Sequence, residues 1–198
     1  MPHDVPRVLG IAGSLRRDSL NGQLLDYAAA QLPAHVKYRR YDELKSVAPF
    51  DEDDEVAPPG AVERLREQLC WADGLIIATP EYNSAIPGQL KNALDWASRP
   101  IETAALREVA AVVIGASTSS FGAVWAQAQL RAVLGAAGAR VLDSEFALGE
   151  AHERFTPDGR LGDSELARQL AENLTLFMTE VTATAAIRTT EGCTQRVG

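Results

Sequence analysis

Hydrophobic and polar positions along the chain fall into two regimes. Short, almost wholly apolar runs such as Val8-Leu9-Gly10-Ile11-Ala12, Leu75-Ile76-Ile77-Ala78 and Val109-Ala110-Ala111-Val112-Val113-Ile114 alternate with longer stretches of helical spacing. The runs predict strands over residues 8–12, 36–41, 74–79, 109–115 and 140–146. The first, third and fourth have the continuous apolar character of central strands covered on both faces. Between them, Leu20, Leu24, Leu25, Ala28 and Leu32 keep one helical face apolar, as do Leu90, Ala93, Leu94 and Ala97. A third helix is predicted over residues 123–137, ended by Gly138. A fourth carries Leu166, Leu170, Leu174, Phe177 and Val181 behind the capping sequence Asp163-Ser164-Glu165.

Strands alternating with crossover helices imply an α/β fold: a doubly wound, five-stranded parallel sheet in three layers. The order 2-1-3-4-5 is expected, because it gathers the candidate ligand turns at the carboxyl ends of strands 1, 3 and 4. Residues 47–60 are rich in proline and acid and read as a loop. One domain is expected over residues 1–187, with a polar tail at 188–198.

Composition narrows the chemistry. The 198 residues are 46% hydrophobic and 23% charged, with net charge −8 and an acidic run Asp51-Glu52-Asp53-Asp54-Glu55. That charge argues against nucleic-acid binding through a broad basic surface, so an anionic ligand requires a local basic pocket. The apolar runs are too short to span a bilayer and the first residues carry no secretory pattern, so a cytoplasmic location is expected. Cys70 and Cys193 form no CxxC pair and suggest neither a disulfide framework nor a zinc site; His3, His35 and His152 share no ligand spacing. GxSxG, GxxxxGK[ST], HExxH and GxGxxG are all missing, which leaves triad hydrolysis, triphosphate cleavage, zinc chemistry and dinucleotide-type binding without visible machinery.

Two turns remain rich in chemistry. The first strand runs into Gly13-Ser14-Leu15-Arg16-Arg17-Asp18-Ser19-Leu20-Asn21, with a helix starting at once. Gly13 permits a close turn, Ser14 and Ser19 offer hydroxyls, Asn21 an amide and Arg16 a planar positive fork. Together with the free N–H groups of the helix start, these make an anion cradle suited to a monophosphate. A plain polar turn with a serine cap is the alternative. The third strand ends in Thr79-Pro80-Glu81-Tyr82-Asn83-Ser84-Ala85-Ile86-Pro87-Gly88. Pro80 stops the strand and Pro87 starts the next helix. The backbone N–H groups between them could bond the edge of a planar heterocycle, with Tyr82 and Ile86 as flat apolar surface. The alternative is a capped turn with its tyrosine packed on the core.

Gly13-Ser14-Leu15-Arg16-x-x-Ser19-x-Asn21 and the continuous stretch Pro80-Glu81-Tyr82-Asn83-Ser84-Ala85-Ile86-Pro87-Gly88-x-Leu90-Lys91-Asn92-Ala93-Leu94-Asp95-Trp96 resemble the NADPH-dependent FMN reductase family, which includes quinone, azo-dye and chromate reductases. The likeness runs from about Val8 to Val181. A third family segment, Ser-x-Gly-x-x-Gly-Gly, is matched at Ser117 and Gly122, while Ser119 and Ala123 stand in place of glycines.

The resemblance implies a flavodoxin-like domain. Ser14, Leu15, Arg16, Ser19, Leu20 and Asn21 would hold the phosphate of flavin mononucleotide (FMN). Pro80, Glu81, Tyr82, Asn83 and Ser84 would hold its ring, with Ser117 beside them. It implies reduction by NADPH or NADH and onward transfer to a small acceptor: a quinone, azo compound, metal oxyanion or free flavin. No side chain is expected to act as catalytic acid or base, because the cofactor carries the chemistry. A homodimer or homotetramer is also implied, with Tyr82, Trp125 and Trp96 as residues that could cover the ring turn from a partner or pack internally. A flavodoxin-like electron carrier that docks with protein partners is the alternative function.

Overall fold

Strands form where the apolar runs stand. The computed structural model describes residues 5–188. Its elements are β1 (Arg7–Ala12), α1 (Leu20–Ala30), β2 (Lys37–Tyr41), α2 (Gly60–Trp71), β3 (Gly74–Thr79), α3 (Gly88–Ala97), β4 (Ala110–Ala116), α4 (Val124–Ala136), β5 (Arg140–Val141), β6 (Ala147–Leu148), α5 (Ala151–Arg154) and α6 (Ser164–Arg188). The order is β2-β1-β3-β4-β5, with β6 also on β4. Every pairing is parallel, in a register that carries Leu9 to Leu75 and Leu75 to Ala111.

Successive side chains of a strand point to opposite faces, and the two faces bury separate cores. Leu9, Ile11, Leu75, Ile77 and Val113 meet Leu65, Leu69, Leu90, Leu94, Trp96, Leu130 and Leu134 of α2, α3 and α4. Val8, Ile76, Val112 and Ile114 meet Leu24, Leu25, Leu170, Leu174, Phe177 and Val181 of α1 and α6. This is the predicted three-layer, doubly wound sheet. Gly74 marks its tightest helix approach: a Cβ there would lie 2.5 Å from Val181 Cγ2. Asp163 Oδ1 accepts from the N–H groups of Glu165 and Leu166 at 2.9 and 3.2 Å, which makes it the cap that opens α6.

Two expectations need correction. The fifth strand is not continuous over residues 140–146. Beyond β5, Leu142 N–H still donates to Ala111 O at 2.8 Å and Phe146 O accepts from Gly115 N–H at 2.9 Å, but the polar stretch Asp143-Ser144-Glu145 between them leaves the ladder and is held by Arg131. That residue donates to Ser144 O at 3.3 Å and lies 3.6 Å from Glu145 Oε2. The cysteine expectation also fails at one position, because Cys70 is disulfide-bonded rather than a free thiol; Cys193 and His3 lie outside the described residues, as does the expected polar tail apart from Arg188, which ends α6. The α2 helix was not anticipated, although Val62, Leu65 and Leu69, all buried, keep helical spacing. Among the described residues, no helix is long and apolar enough to cross a membrane.

Candidate functional site

β1, β3 and β4 are neighbours, so the turns leaving their carboxyl ends lie side by side. Hydrogen bonds lock them together. Gly13 N–H reaches Ala78 O at 2.8 Å, which seats the first turn on the end of β3. Glu81 Oε2 accepts from Ala126 N–H at 3.0 Å, and Gln129 Oε1 accepts from Ile86 N–H at 2.8 Å. Both bonds tie the second turn to the first part of α4.

In the first turn, Ser19 is the N-cap of α1 and its Oγ accepts from Gly22 N–H at 3.2 Å. The hydroxyl proton of Ser19 stays free to donate outward. The N–H groups of Leu20 and Asn21, in the first helical turn, have no acceptor within the helix. Ser14 Oγ accepts from Arg16 N–H at 3.3 Å, and the exposed Arg16 guanidinium makes only a long 3.5 Å bond to Asp18 O. Leu15 is exposed beside it. These donors and this cation fit a phosphate at a helix N-terminus, where the helix dipole also favours negative charge.

The Asn21 side chain does not face this cradle as expected. It is buried, and its amide donates to Ala116 O at 2.8 Å while its Oδ1 accepts from Ala116 N–H at 2.9 Å. Asn21 thus joins the phosphate turn to the end of β4, and only its backbone N–H is left for a ligand.

In the second turn, Tyr82 and Ala85 exchange both backbone bonds, at 3.0 and 3.1 Å, around Asn83 and Ser84. Those two residues have φ of +52° and +60°, the left-handed region that asparagine tolerates but that costs about 1–2 kcal/mol for a residue such as Ser84. Such a cost is characteristic of ligand-binding turns. With the Tyr82, Ala85 and Ile86 N–H groups committed, those of Glu81, Asn83 and Ser84 remain to meet a heterocycle edge. Pro80 is buried at the strand end, Tyr82 is half exposed, and the Glu81 carboxylate is turned toward α4 rather than outward. Trp96 is fully buried and donates its indole N–H to Ala48 O at 2.9 Å, so it cannot cover the turn of a partner.

The third turn is anchored rather than loose. Ser117 N–H donates to Leu148 O at 3.0 Å, Ala151 N–H to Ser117 O at 2.9 Å and Glu150 N–H to Ser119 O at 2.9 Å. Ser117 Oγ also accepts from Ser119 N–H at 3.1 Å. Ala123, which stands at a family glycine, holds φ +65°.

An open parallel sheet of order 2-1-3-4-5 with helices on both faces is the flavodoxin-like fold. Residues 6–153 match the NADPH-dependent FMN reductase family, and the chain belongs to that family. An NAD(P)H-dependent FMN reductase of Pseudomonas aeruginosa is 40% identical over 87% of this chain and 95% of its own length. The quinone reductase of Escherichia coli K12 is 34% identical over 86% of this chain and 93% of its own. The solved structure of FerB, a flavoenzyme NAD(P)H:(acceptor) oxidoreductase from Paracoccus denitrificans, aligns with a TM-score of 0.83 at 30% identity, over 91% of this chain and 99% of that one. The chain is an NAD(P)H-dependent oxidoreductase of the FMN-binding kind, rather than a flavodoxin-type carrier.

Proposed function

We propose that FMN lies across the three turns and that a small organic acceptor, a quinone in the first instance, is reduced there. The phosphate is held by the Leu20 and Asn21 N–H groups, the hydroxyls of Ser14 and Ser19 and the Arg16 guanidinium, with Leu15 along the turn. The ring edge is held by backbone N–H groups between Pro80 and Ser84, and Ser117 flanks it from the third turn. The carrying observation is the pair of bonds between Asn21 and Ala116, which fixes the cradle of β1 against the end of β4.

When bound, FMN supplies the redox chemistry, accepting reducing equivalents from the nicotinamide and delivering them to the acceptor. The protein's part is position and electrostatics. The α1 dipole and Arg16 hold the phosphate end, and the uncommitted N–H groups of the second turn meet negative charge at the ring edge. No side chain is required to move a proton. The Glu81 carboxylate, already spent on Ala126 N–H, serves the shape of the turn.

A homodimer or homotetramer and a cytoplasmic location belong to this reading; the first rests on the family resemblance and the second on the sequence pattern. Quinone, azo compound, metal oxyanion and free flavin are the acceptors to compare. The test is the visible spectrum of the purified protein after FMN is added and excess removed, followed anaerobically on addition of NADPH or NADH. Retained flavin absorption that bleaches with nicotinamide, then returns with quinone, is the expected result. Retained absorption that no nicotinamide bleaches would point to an electron carrier.

A further inference from the structure

We infer that Thr79 and Gln127 are positioning residues of the flavin site, buried side chains that touch no ligand but hold the carbonyls of Pro80 and Gly122 inward. The second turn is thereby made to offer an N–H donor at its first peptide, and the third turn keeps a carbonyl oxygen out of the site. The inference rests on the reading above and adds two residues to the machinery of the same site.

Among the described residues, five polar side chains are buried: Asn21, Asp73, Thr79, Gln127 and Thr184. Asp73 holds Arg7 at the opposite end of the sheet, and Thr184 bonds its own helix. The other three meet the carboxyl ends of the strands, and each donates to a backbone carbonyl there. Asn21 takes Ala116 O, Thr79 Oγ1 donates to Pro80 O at 2.8 Å, and Gln127 Nε2 donates to Gly122 O at 3.0 Å. Thr79 and Gln127 are also neighbours across the sheet. Thr79 pairs in register with Gly115, and a Cβ on Gly115 would lie 2.7 Å from Gln127 Nε2 and 3.0 Å from Gly122 O.

These donors decide which pole of a peptide faces the site. In a trans peptide the C=O and the N–H point to opposite sides, and the Pro80–Glu81 peptide is trans. Anchoring Pro80 O to the Thr79 hydroxyl therefore turns the Glu81 N–H the other way, and that N–H has no acceptor among the described residues. Without the hydroxyl, Pro80 O would be buried unmet, or would rotate outward and put an oxygen where the donor stood. Gln127 acts in the same way on Gly122, whose φ of +59° belongs to the bend before α4. The adjacent Ala126 N–H donates to Glu81 Oε2 at 3.0 Å. The first turn of α4 thus grips the second and third turns through consecutive residues.

Energetics separate this role from packing. Gln127 is fully buried, yet its Oε1 has no partner among the described residues. A buried acceptor left unmet is destabilising, and a methionine would fill nearly the same space without one. Local rules of this kind are broken where function requires it, and here the requirement is the Nε2 donor. Both side chains are buried within a single chain, so no partner subunit reaches either of them.

The test titrates FMN, and riboflavin as the analogue without a phosphate, into the full chain stripped of flavin, with binding read from flavin fluorescence. Thr79→Val keeps the shape and removes the hydroxyl; it should weaken FMN and riboflavin by the same factor, about 10-fold. Thr79→Ser restores the donor and should bind both within about 2-fold of wild type. Gln127→Met should weaken both about 5-fold. Its melting temperature should stay within about 2 °C of wild type, because the orphaned acceptor is lost together with the donor. Should Thr79→Val fail to fold, Gln127→Met makes the same comparison alone. Three outcomes overturn the inference: riboflavin bound by a folded Thr79→Val or by Gln127→Met as tightly as by wild type, Thr79→Ser losing as much as Thr79→Val, or a loss confined to FMN. Failure of the wild-type chain to bind either flavin would count against the underlying reading instead.

Discussion

Asn21 and Ala116, 95 residues apart in sequence, exchange two hydrogen bonds between the Asn21 amide and the Ala116 backbone. The bonds join the helix that would receive a phosphate to the end of β4, from which the third turn departs. Asn21→Ala leaves the buried Ala116 N–H and C=O without these partners, at about 1–3 kcal/mol for each group left unmet. A thermal melt should fall by about 2–4 °C for every kcal/mol lost. FMN affinity should fall as well, although the Asn21 side chain faces away from the cradle. A variant that melts lower yet binds FMN as tightly as wild type would separate the Asn21 bonds from the site.

Arg16 is exposed and bonded only to Asp18 O, so its guanidinium has little folded structure to support. Arg16→Ala should leave the melting temperature nearly unchanged. Loss of a charge-assisted bond to phosphate, about 1.5–3 kcal/mol, corresponds to roughly 10- to 150-fold weaker FMN binding. Arg17→Ala should change far less. Fluorescence titration of FMN against both variants makes the comparison, and equal effects would remove Arg16 from the phosphate site.

Glu81 caps α4 across the turn at Ala126 N–H. Glu81→Ala removes that acceptor at a cost of about 1 kcal/mol and frees the ring turn from α4. Glu81→Gln keeps an oxygen in place and should retain most of the stability, short of the attraction between the carboxylate and the helix dipole. Denaturant melts read the stability order wild type, Gln, Ala. The same order in FMN affinity would show that the turn must be held to bind.

Tyr41 is buried with its hydroxyl unpaired, and burial pushes its pKa up from 10.0 to about 12. A raised acid pKa means that the folded state keeps its proton where the unfolded chain loses it. This contribution is therefore complete below pH 10 and declines as pH climbs toward 12. Tyr41→Phe should be neutral to about 1 kcal/mol stabilising at neutral pH. Its advantage over wild type should widen by on the order of 1–2 kcal/mol across that alkaline window. Chemical melts at the two ends of the window test the sign.

The central sheet was legible because β1, β3 and β4 are apolar on both faces, a pattern that amphipathic helices do not share. The fifth strand was misread because Arg140 to Phe146 has strand-like ends around Asp143-Ser144-Glu145, and the pull of Arg131 on that polar middle is a tertiary contact. The two ligand turns could be located from their motifs, but the direction of their side chains could not. Asn21 and Glu81 look like ligands in a linear sequence; in the fold their side chains face Ala116 and α4. Gln129, which holds Ile86 N–H, went unnoticed because a lone glutamine in a helix carries no local signal. Of the two places open to Trp96, covering a partner's turn or packing internally, the fold takes the second, with the indole bonded to Ala48.

The most direct measurement is the position of FMN in a crystal of the FMN-loaded protein. The phosphate should sit within hydrogen-bond distance of the Leu20 and Asn21 N–H groups and of Arg16, and the ring should meet the backbone between Glu81 and Ser84. A nucleotide found elsewhere, with its phosphate away from the α1 N-terminus, would contradict the account.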